Sequence, residues 1–290
     1  MTIAQWLLDI RQALLKAGIS EEEAWTESEL ILRETLGLDR TQLHLQAMES
    51  VSSILAEKLE HIVSCRAKRE PLAYIFGHWP FYGLDIIVTP DVLIPRPETE
   101  GLVEIAMALC RRLQAKKPSR KVVDVGTGSG AVAVVLAKEA GLEEVMAADS
   151  SREALGVAHR NLCKYGLGHR VKLLEGDLLE PIASPLDLII ANLPYIPTSR
   201  LPNLQPEVRW EPRQALDGGP DGLNVIKRML MQAKRKLAAG GSILLEIDEG
   251  QSEPLKAFSK DLFPNAAMSV EKDLAGLDRY FLLESDSLLD

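Results

Sequence analysis

The string Asp124-Val125-Gly126-Thr127-Gly128-Ser129-Gly130 constrains this chain more than any other stretch. It follows the short apolar run from Val122 and precedes Ala131 to Glu139, which reads as a helix. A strand that ends in alternating glycines lets the backbone approach a ligand without Cβ clash. The helix it opens then points its first amides at that ligand. Gly126, Gly128 and Ala131 also satisfy the relaxed dinucleotide fingerprint, so the turn does not choose its ligand by itself.

What surrounds the turn fixes the fold class. From Lys121 onward, strand and helix patterns alternate. Strands are expected at Val122 to Val125, Glu144 to Ala148, Val171 to Leu174, Leu186 to Ala191 and Ser242 to Ile247, with a final pair at Ala267 to Glu271 and Tyr280 to Glu284. Helices are expected over Ala131 to Glu139, Arg152 to Tyr165 and Leu223 to Ala239. This order argues for an α/β domain, a mostly parallel sheet covered on both faces.

The first seventy residues differ. Ile3, Trp6, Leu7, Ile10, Leu14 and Leu15 recur at helical spacing up to Gly18. Ser20 with Glu23 is a capping box that opens a second helix, closed by Gly37. Further helices are expected near Thr41 to Gln46 and Ser53 to Arg66, completing a helical bundle without a catalytic constellation. Beyond Pro71 the pattern turns β-rich at Tyr74 to Gly77 and Leu84 to Val88, which reads as a hairpin. Pro95 and Pro97 then hold an extended segment before a helix over about Thr99 to Leu113.

Composition excludes several classes. In 290 residues, 46% hydrophobic content supports a sizeable core, as one large domain or two ordinary ones. No apolar run is long enough for a membrane helix, and the first ten residues carry Asp9 and no basic region, so no signal peptide is expected. Cys65, Cys110 and Cys163 form no CxxC pair, which argues against a zinc site or disulfide framework and for a reducing compartment. A net charge of −9 argues against a duplex nucleic-acid binder. The basic clusters Arg66 to Arg69, Arg111 to Lys121 and Lys227 to Lys236 read as solvated helix ends.

Three further positions carry chemistry. Asp149 ends the second strand, 19 residues past Gly130, where a carboxylate accepts both ribose hydroxyls. That excludes a 2′-phosphate but not NAD. Asp177 ends the third strand after Gly176. Asn192-Leu193-Pro194-Tyr195 follows the fourth, and hydride transfer has no use for it. Methylation of an amide or amine does. An amide nitrogen is a poor nucleophile because its lone pair is delocalised, the resonance behind the roughly 18–20 kcal/mol rotation barrier of a peptide bond. A site must hold both N–H groups on acceptors and aim the nitrogen. The Asn192 side-chain oxygen supplies one acceptor, the carbonyl at 193 the other, and Tyr195 covers the flat face of the substrate. Such positioning is worth up to about 7–11 kcal/mol of barrier.

Taken together these motifs resemble the HemK-type glutamine methyltransferases. The resemblance spans nearly the whole chain. It includes Arg69-Glu70-Pro71-Leu72-Ala73-Tyr74-Ile75-Phe76-Gly77, the specific string Ile94-Pro95-Arg96-Pro97-Glu98-Thr99-Glu100, the stretch Glu211 to Gly219, and Asp273, Gly276, Asp278 and Arg279 in the tail. It implies a Rossmann-like class I S-adenosylmethionine (SAM) methyltransferase fold with an antiparallel last strand. The implied organisation is a helical recognition domain at 1–73, a β-hairpin linker at 74–95 and a methyltransferase domain at 96–290.

It further implies transfer to the side-chain amide of the glutamine in the Gly-Gly-Gln loop of class I peptide chain release factors. SAM is the implied cofactor and S-adenosylhomocysteine the product. No metal, direct nucleic-acid contact or membrane is implied, and the implied setting is the cytoplasm. SAM is placed against Gly126, Thr127, Gly128, Ser129, Gly130, Asp149, Asp177, Leu178 and Asn192. Asp177 reads the adenine amine and Leu178 covers the ring. The substrate glutamine is placed against Asn192, Leu193, Pro194 and Tyr195.

The pattern departs at Leu193, where the family usually has a proline. Leu193 still supplies a carbonyl and precedes Pro194, which biases it to extended backbone. Reduced rigidity with retained chemistry is expected. Two other substrates stay open: a glutamine of a ribosomal protein, and an exocyclic adenine amine of nucleic acid, which would bring a steep salt dependence of binding.

Overall fold

The computed structural model describes residues 1–116, 120–140, 142, 144–183 and 185–286, with the side chains of 114–116 left aside. The chain divides into two units. One comprises residues 1–77 with 206–210, the other 78–205 with 211–290.

The first unit is helical: α1 (Ile3–Lys16), α2 (Glu21–Leu36), α3 (Arg40–Leu45), α4 (Ser53–Arg66) and the short α5 (Leu72–Phe76). Local chemistry sets these bounds. The Ser20 hydroxyl accepts from the Glu23 amide while Glu23 reaches back to the Ser20 amide, so α2 starts where the capping box places it. Gly37 ends it in the left-handed region at φ 68°. Trp6, Ile10, Leu14, Ile31, Leu32 and Leu59 fill the unit's core. Arg66 is buried there as well. It donates to Glu27 at 2.8 and 3.0 Å and to Glu207 at 2.7 Å, which ties residues 206–210 into this unit.

The first expected hairpin strand, Tyr74 to Gly77, is instead most of α5 and its cap. Pro71 starts that turn, Gly77 at φ 80° stops it, and Leu72, Ala73 and Tyr74 are buried by it. Three residues of one helical turn bury together here, whereas alternation would have exposed Ala73. The hairpin comes one segment later. Its strands β1 (His78–Phe81) and β2 (Leu84–Ile87) pair antiparallel about Tyr82 and Gly83.

The second unit then runs α6 (Pro97–Lys116), β3 (Val122–Val125), α7 (Ala131–Glu139), β4 (Val145–Asp149), α8 (Arg152–Lys164), β5 (Val171–Glu175), β6 (Leu186–Ala191), α9 (Asn224–Ala233), β7 (Leu237–Glu246), α10 (Ser252–Leu262), β8 (Ala267–Lys272) and β9 (Asp278–Glu284). The sheet order is β5-β4-β3-β6-β7-β9-β8. All strands from β5 to β7 pair in parallel, and β9 is antiparallel to both neighbours. Every residue of β3 and β6 is buried, as expected for strands covered on both faces.

One helix ends earlier than its pattern suggests. α9 stops at Ala233, and residues 237–241, expected in part as helix, already belong to β7. Leu237 pairs with Leu186, and the Leu186 amide donates to the Lys236 carbonyl at 2.7 Å. Strand pairing overrides the helical propensity of Leu-Ala-Ala. α10 has no counterpart among the sequence expectations. No helix among the described residues is long and apolar enough to cross a membrane.

Candidate active site

β3 is where the strand order reverses: β4 and β5 lie to one side, β6 and β7 to the other. A crevice outside the carboxyl ends of the strands at such a point is where open α/β sheets bind ligands. A cavity of about 260 Å³ lies there. Its lining includes Gly126, Thr127, Gly128, Ser129, Asp149, Asp177, Leu178, Asn192, Leu193 and Pro194. The structure therefore brings together most of the residues singled out from sequence. Gly130 and Tyr195 are not part of the lining.

The glycine turn hangs on its neighbours. The amides of Gly126 and Thr127 donate to the Ala148 carbonyl at 2.8 and 3.0 Å. The Gly128 amide donates to Asp149 Oδ2 at 2.9 Å, and the Ser151 amide to Asp149 Oδ1 at 2.9 Å. Each carboxylate oxygen keeps a lone pair for a ligand hydroxyl. Burial raises the Asp149 carboxyl, opposed by its backbone donors. Ser151, not Asp149, caps α8, since its hydroxyl accepts from the Ala154 amide. Gly130 starts α7 with φ 78°, and a Cβ there would lie 3.0 Å from that of Ala158. Its lack of a side chain lets α7 pack closely on α8.

Two buried polar residues outside the expected ligand contacts hold this turn, Asp124 and Asn161. Thr127 Oγ1 donates to Asp124 Oδ2 at 2.6 Å. Burial pushes the Asp124 carboxyl up to about 7, and the Asp149 charge adds to the shift against the Thr127 bond. Asn161 on α8 accepts from the Ile87 amide at 2.7 Å and donates to the Ile87 carbonyl at 2.9 Å and the Ser129 carbonyl at 2.8 Å. One amide thus joins the hairpin to the turn. Asp124 opens the glycine string and was legible there. Asn161 had no local signal.

Farther round, Asp177 pairs with Arg228 on α9, so one of its oxygens is engaged. Leu178 is buried at φ 53°, an uncommon backbone region for a branched side chain. Across the cavity lie Pro95, Arg96, Pro212 and Gln214. The Glu211 carboxylate joins these two walls. It accepts from the Ile94 amide at 3.1 Å and pairs with Arg96. Burial raises its carboxyl against the Arg96 charge.

The tetrapeptide after β6 is held from behind. Asn192 Nδ2 donates to Thr99 Oγ1 at 3.0 Å, and Thr99 Oγ1 donates to Glu246 Oε2 at 2.8 Å. The Tyr195 hydroxyl donates to Glu246 Oε1 at 3.2 Å. This bond engages the hydroxyl and not the face of the ring, to which the expectation of a substrate cover applies. The hydroxyl anchors the loop, and burial and the Glu246 charge raise the Tyr195 phenol. Phe81, at the end of β1, supplies an aromatic ring to the lining. The Tyr195 carbonyl accepts from Gln251 Nε2 at 2.8 Å. No donor among the described residues reaches the Leu193 carbonyl.

The parallel sheet with its antiparallel last strand, the glycine turn at the switch point and the acid that ends the next strand define a class I SAM-dependent methyltransferase. Two family models match, the PrmC N-terminal domain over residues 5–77 and the methyltransferase small domain over residues 103–202. The chain belongs to the release factor glutamine methyltransferase family. It is 41% identical over 283 residues to the release factor glutamine methyltransferase of Moorella thermoacetica, covering 97% of this chain and 98% of that protein. It is also 41% identical to that of Geobacter sulfurreducens, covering 96% and 95%. Among solved structures, a methyltransferase from Pyrococcus furiosus shares the fold with a TM-score of 0.51 at 17% identity, covering 81% of this chain and 100% of that one.

Proposed function

We propose that this chain transfers a methyl group from SAM to the side-chain amide nitrogen of the glutamine in the Gly-Gly-Gln motif of class I peptide chain release factors. The relatives' name supports the substrate. One observation supports the chemistry: the cavity walled by the glycine turn also holds Asn192, whose Nδ2 is turned to Thr99. That leaves Asn192 Oδ1 as an acceptor beside the Leu193 carbonyl, two acceptors for the two N–H groups of one primary amide.

The residues present suit the cofactor. Gly128 has open space where a Cβ would be, so its backbone is approachable, and Asp149 keeps lone pairs for a diol. Leu178 offers an apolar wall to a base, with Asp177 beside it. When bound, SAM supplies a methyl activated by its sulfonium charge. Asn192 and Leu193 hold the amide plane so that the nitrogen lone pair faces that methyl. The methylated nitrogen then loses a proton to water, which requires neither a metal nor a tuned base. In this proposal the helical region at 1–73 recognises the release factor, 74–95 is a linker, and 96–290 carries out the transfer in the cytoplasm, where translation ends.

The test is mass spectrometry of a release factor, a ribosomal protein and an adenine-containing oligonucleotide, each incubated with the chain and SAM. Methylation confined to the Gly-Gly-Gln peptide, on the glutamine side chain, is expected. Methylation of either other substrate in its place would overturn the assignment.

A further inference from the structure

A buried carboxylate stands directly behind the cavity wall, one hydrogen bond from Thr99 of its lining. Glu246 closes β7 and is 1% exposed, and Thr99, in the first turn of α6, is 5% exposed. The two are 147 residues apart in sequence and 2.8 Å apart in space. The fold fixes Thr99 from the other side as well. Tyr280 on β9 donates to the Glu98 carbonyl at 2.6 Å, and the absence of a side chain at Gly101 makes room for its ring. Among the described residues Glu246 has no salt-bridge partner, and such a buried charge is expensive to keep unless it does something that an apolar residue could not.

We propose that Glu246 and Thr99 are positioning residues that set the sense of the Asn192 side-chain amide, so that Oδ1 and not Nδ2 faces the substrate. The proposal deepens the glutamine-transfer reading and rests on it. The logic is that of a one-way chain of hydrogen bonds. An ionised carboxylate only accepts, so the Thr99 hydroxyl spends its single proton on Glu246. The Thr99 oxygen is then left to accept, and Nδ2 is the only atom of the Asn192 amide able to donate to it. An Asn amide on its own turns over readily, since its two ends have the same shape. Glu246 removes that freedom from two bonds away. Its second oxygen holds Tyr195, so one carboxylate secures both ends of the tetrapeptide.

Protonation reverses the chain. A neutral Glu246 donates, Thr99 is freed to donate to Asn192, and Oδ1 turns away from the substrate. Burial pushes the Glu246 carboxyl up to about 7. The groups that face it are Thr99 and Glu98 on α6, Tyr195 after β6, and Arg279 and Tyr280 on β9. Of these Thr99, Tyr195 and Arg279 favour the charged form and Glu98 opposes it. Transfer is therefore expected to rise with pH through this range.

The test reads the amide directly. In the full-length, 15N-labelled chain, the Asn192 side-chain NH2 resonances are identified by their loss in N192D and followed across about pH 5.5 to 8.5, the span around the Glu246 carboxyl. They are expected to shift with pH in the native chain, to lose that dependence in E246Q and T99V, and to regain it in T99S. Resonances in T99V that match the native ones in position and pH response would overturn the inference, whether or not E246Q folds. With a release factor as substrate, T99V is expected to show a kcat about 10- to 100-fold lower with little change in KM, and T99S to rescue most of it. A native chain that transfers, beside a T99V variant with the native kcat, would overturn the inference alone. A native chain that transfers nothing would overturn the glutamine reading, and the amide resonances would still decide the positioning role.

Discussion

A Cβ added to Gly126 would stand 2.9 Å from Leu193 Cδ2, so the glycine turn and the tetrapeptide pack on each other directly. Leu193 is buried in the apolar core under the cavity. The two motifs read separately in the sequence are one structural piece, and the departure at Leu193 becomes intelligible. What the chain lacks in a proline's rigidity it recovers as a buried leucine over the turn.

Gly126→Ala is expected to abolish cofactor binding, because the residue sits at φ 72° and its Cβ displaces Leu193. Leu193→Pro is expected to lower stability by about 1 kcal/mol through lost apolar burial while transfer persists, since the carbonyl remains. Denaturant unfolding beside a transfer assay checks both.

Asp149→Ala removes the acceptor for a diol and the bond to the Gly128 amide. The Kd for S-adenosylhomocysteine is expected to rise about 10- to 100-fold, the scale of one or two charged hydrogen bonds. Titration calorimetry reads it. An unchanged Kd would move the ribose elsewhere.

Asp124 gives a pH dependence whose sign runs against that of most carboxylates. Its folded-state carboxyl is pushed up to about 7 from an ordinary 3.8. Between those values the folded chain holds a proton that the unfolded chain has lost, so stability falls as pH rises across that window. Asp124→Asn keeps an acceptor for Thr127 and removes this loss. Relative to the native chain, it is expected to gain on the order of 2–4 kcal/mol between acid and neutral pH. Urea midpoints of both chains at a series of pH values measure the difference.

Arg66→Ala leaves Glu27 without this buried partner and Glu207 with Arg69 alone. A loss of about 1–3 kcal/mol is expected, the scale of hydrogen bonds to charged groups. Hydrogen exchange is expected to speed up across α2 and α4, and slow exchange there would contradict it.

The sequence carried the local signals well. Ser20 and Glu23 marked the start of α2 because a capping box is written within four residues. The apolar runs before Gly126 and Asn192 marked β3 and β6 because strands buried on both faces lack alternation. What it hid depends on distance along the chain. Tyr74 to Phe76 have strand-forming side chains, yet Pro71 and Gly77 enclose a single turn of helix. Leu237 reads as helix until Leu186 pairs with it. Thr99 and Glu246 lie near the ends of unrelated elements, and only the folded sheet with α6 packed on it joins them to Asn192. The Glu246 partner of the Tyr195 hydroxyl lies 51 residues away and was not legible.

The most direct measurement is methyl transfer from labelled SAM to a purified class I release factor, beside the same factor with its Gly-Gly-Gln glutamine replaced by alanine. Label on the first and none on the second is the expected result, and it would show that Leu193 supports the reaction. Label on both, or on neither while SAM still binds, would contradict the assignment of that glutamine as the substrate.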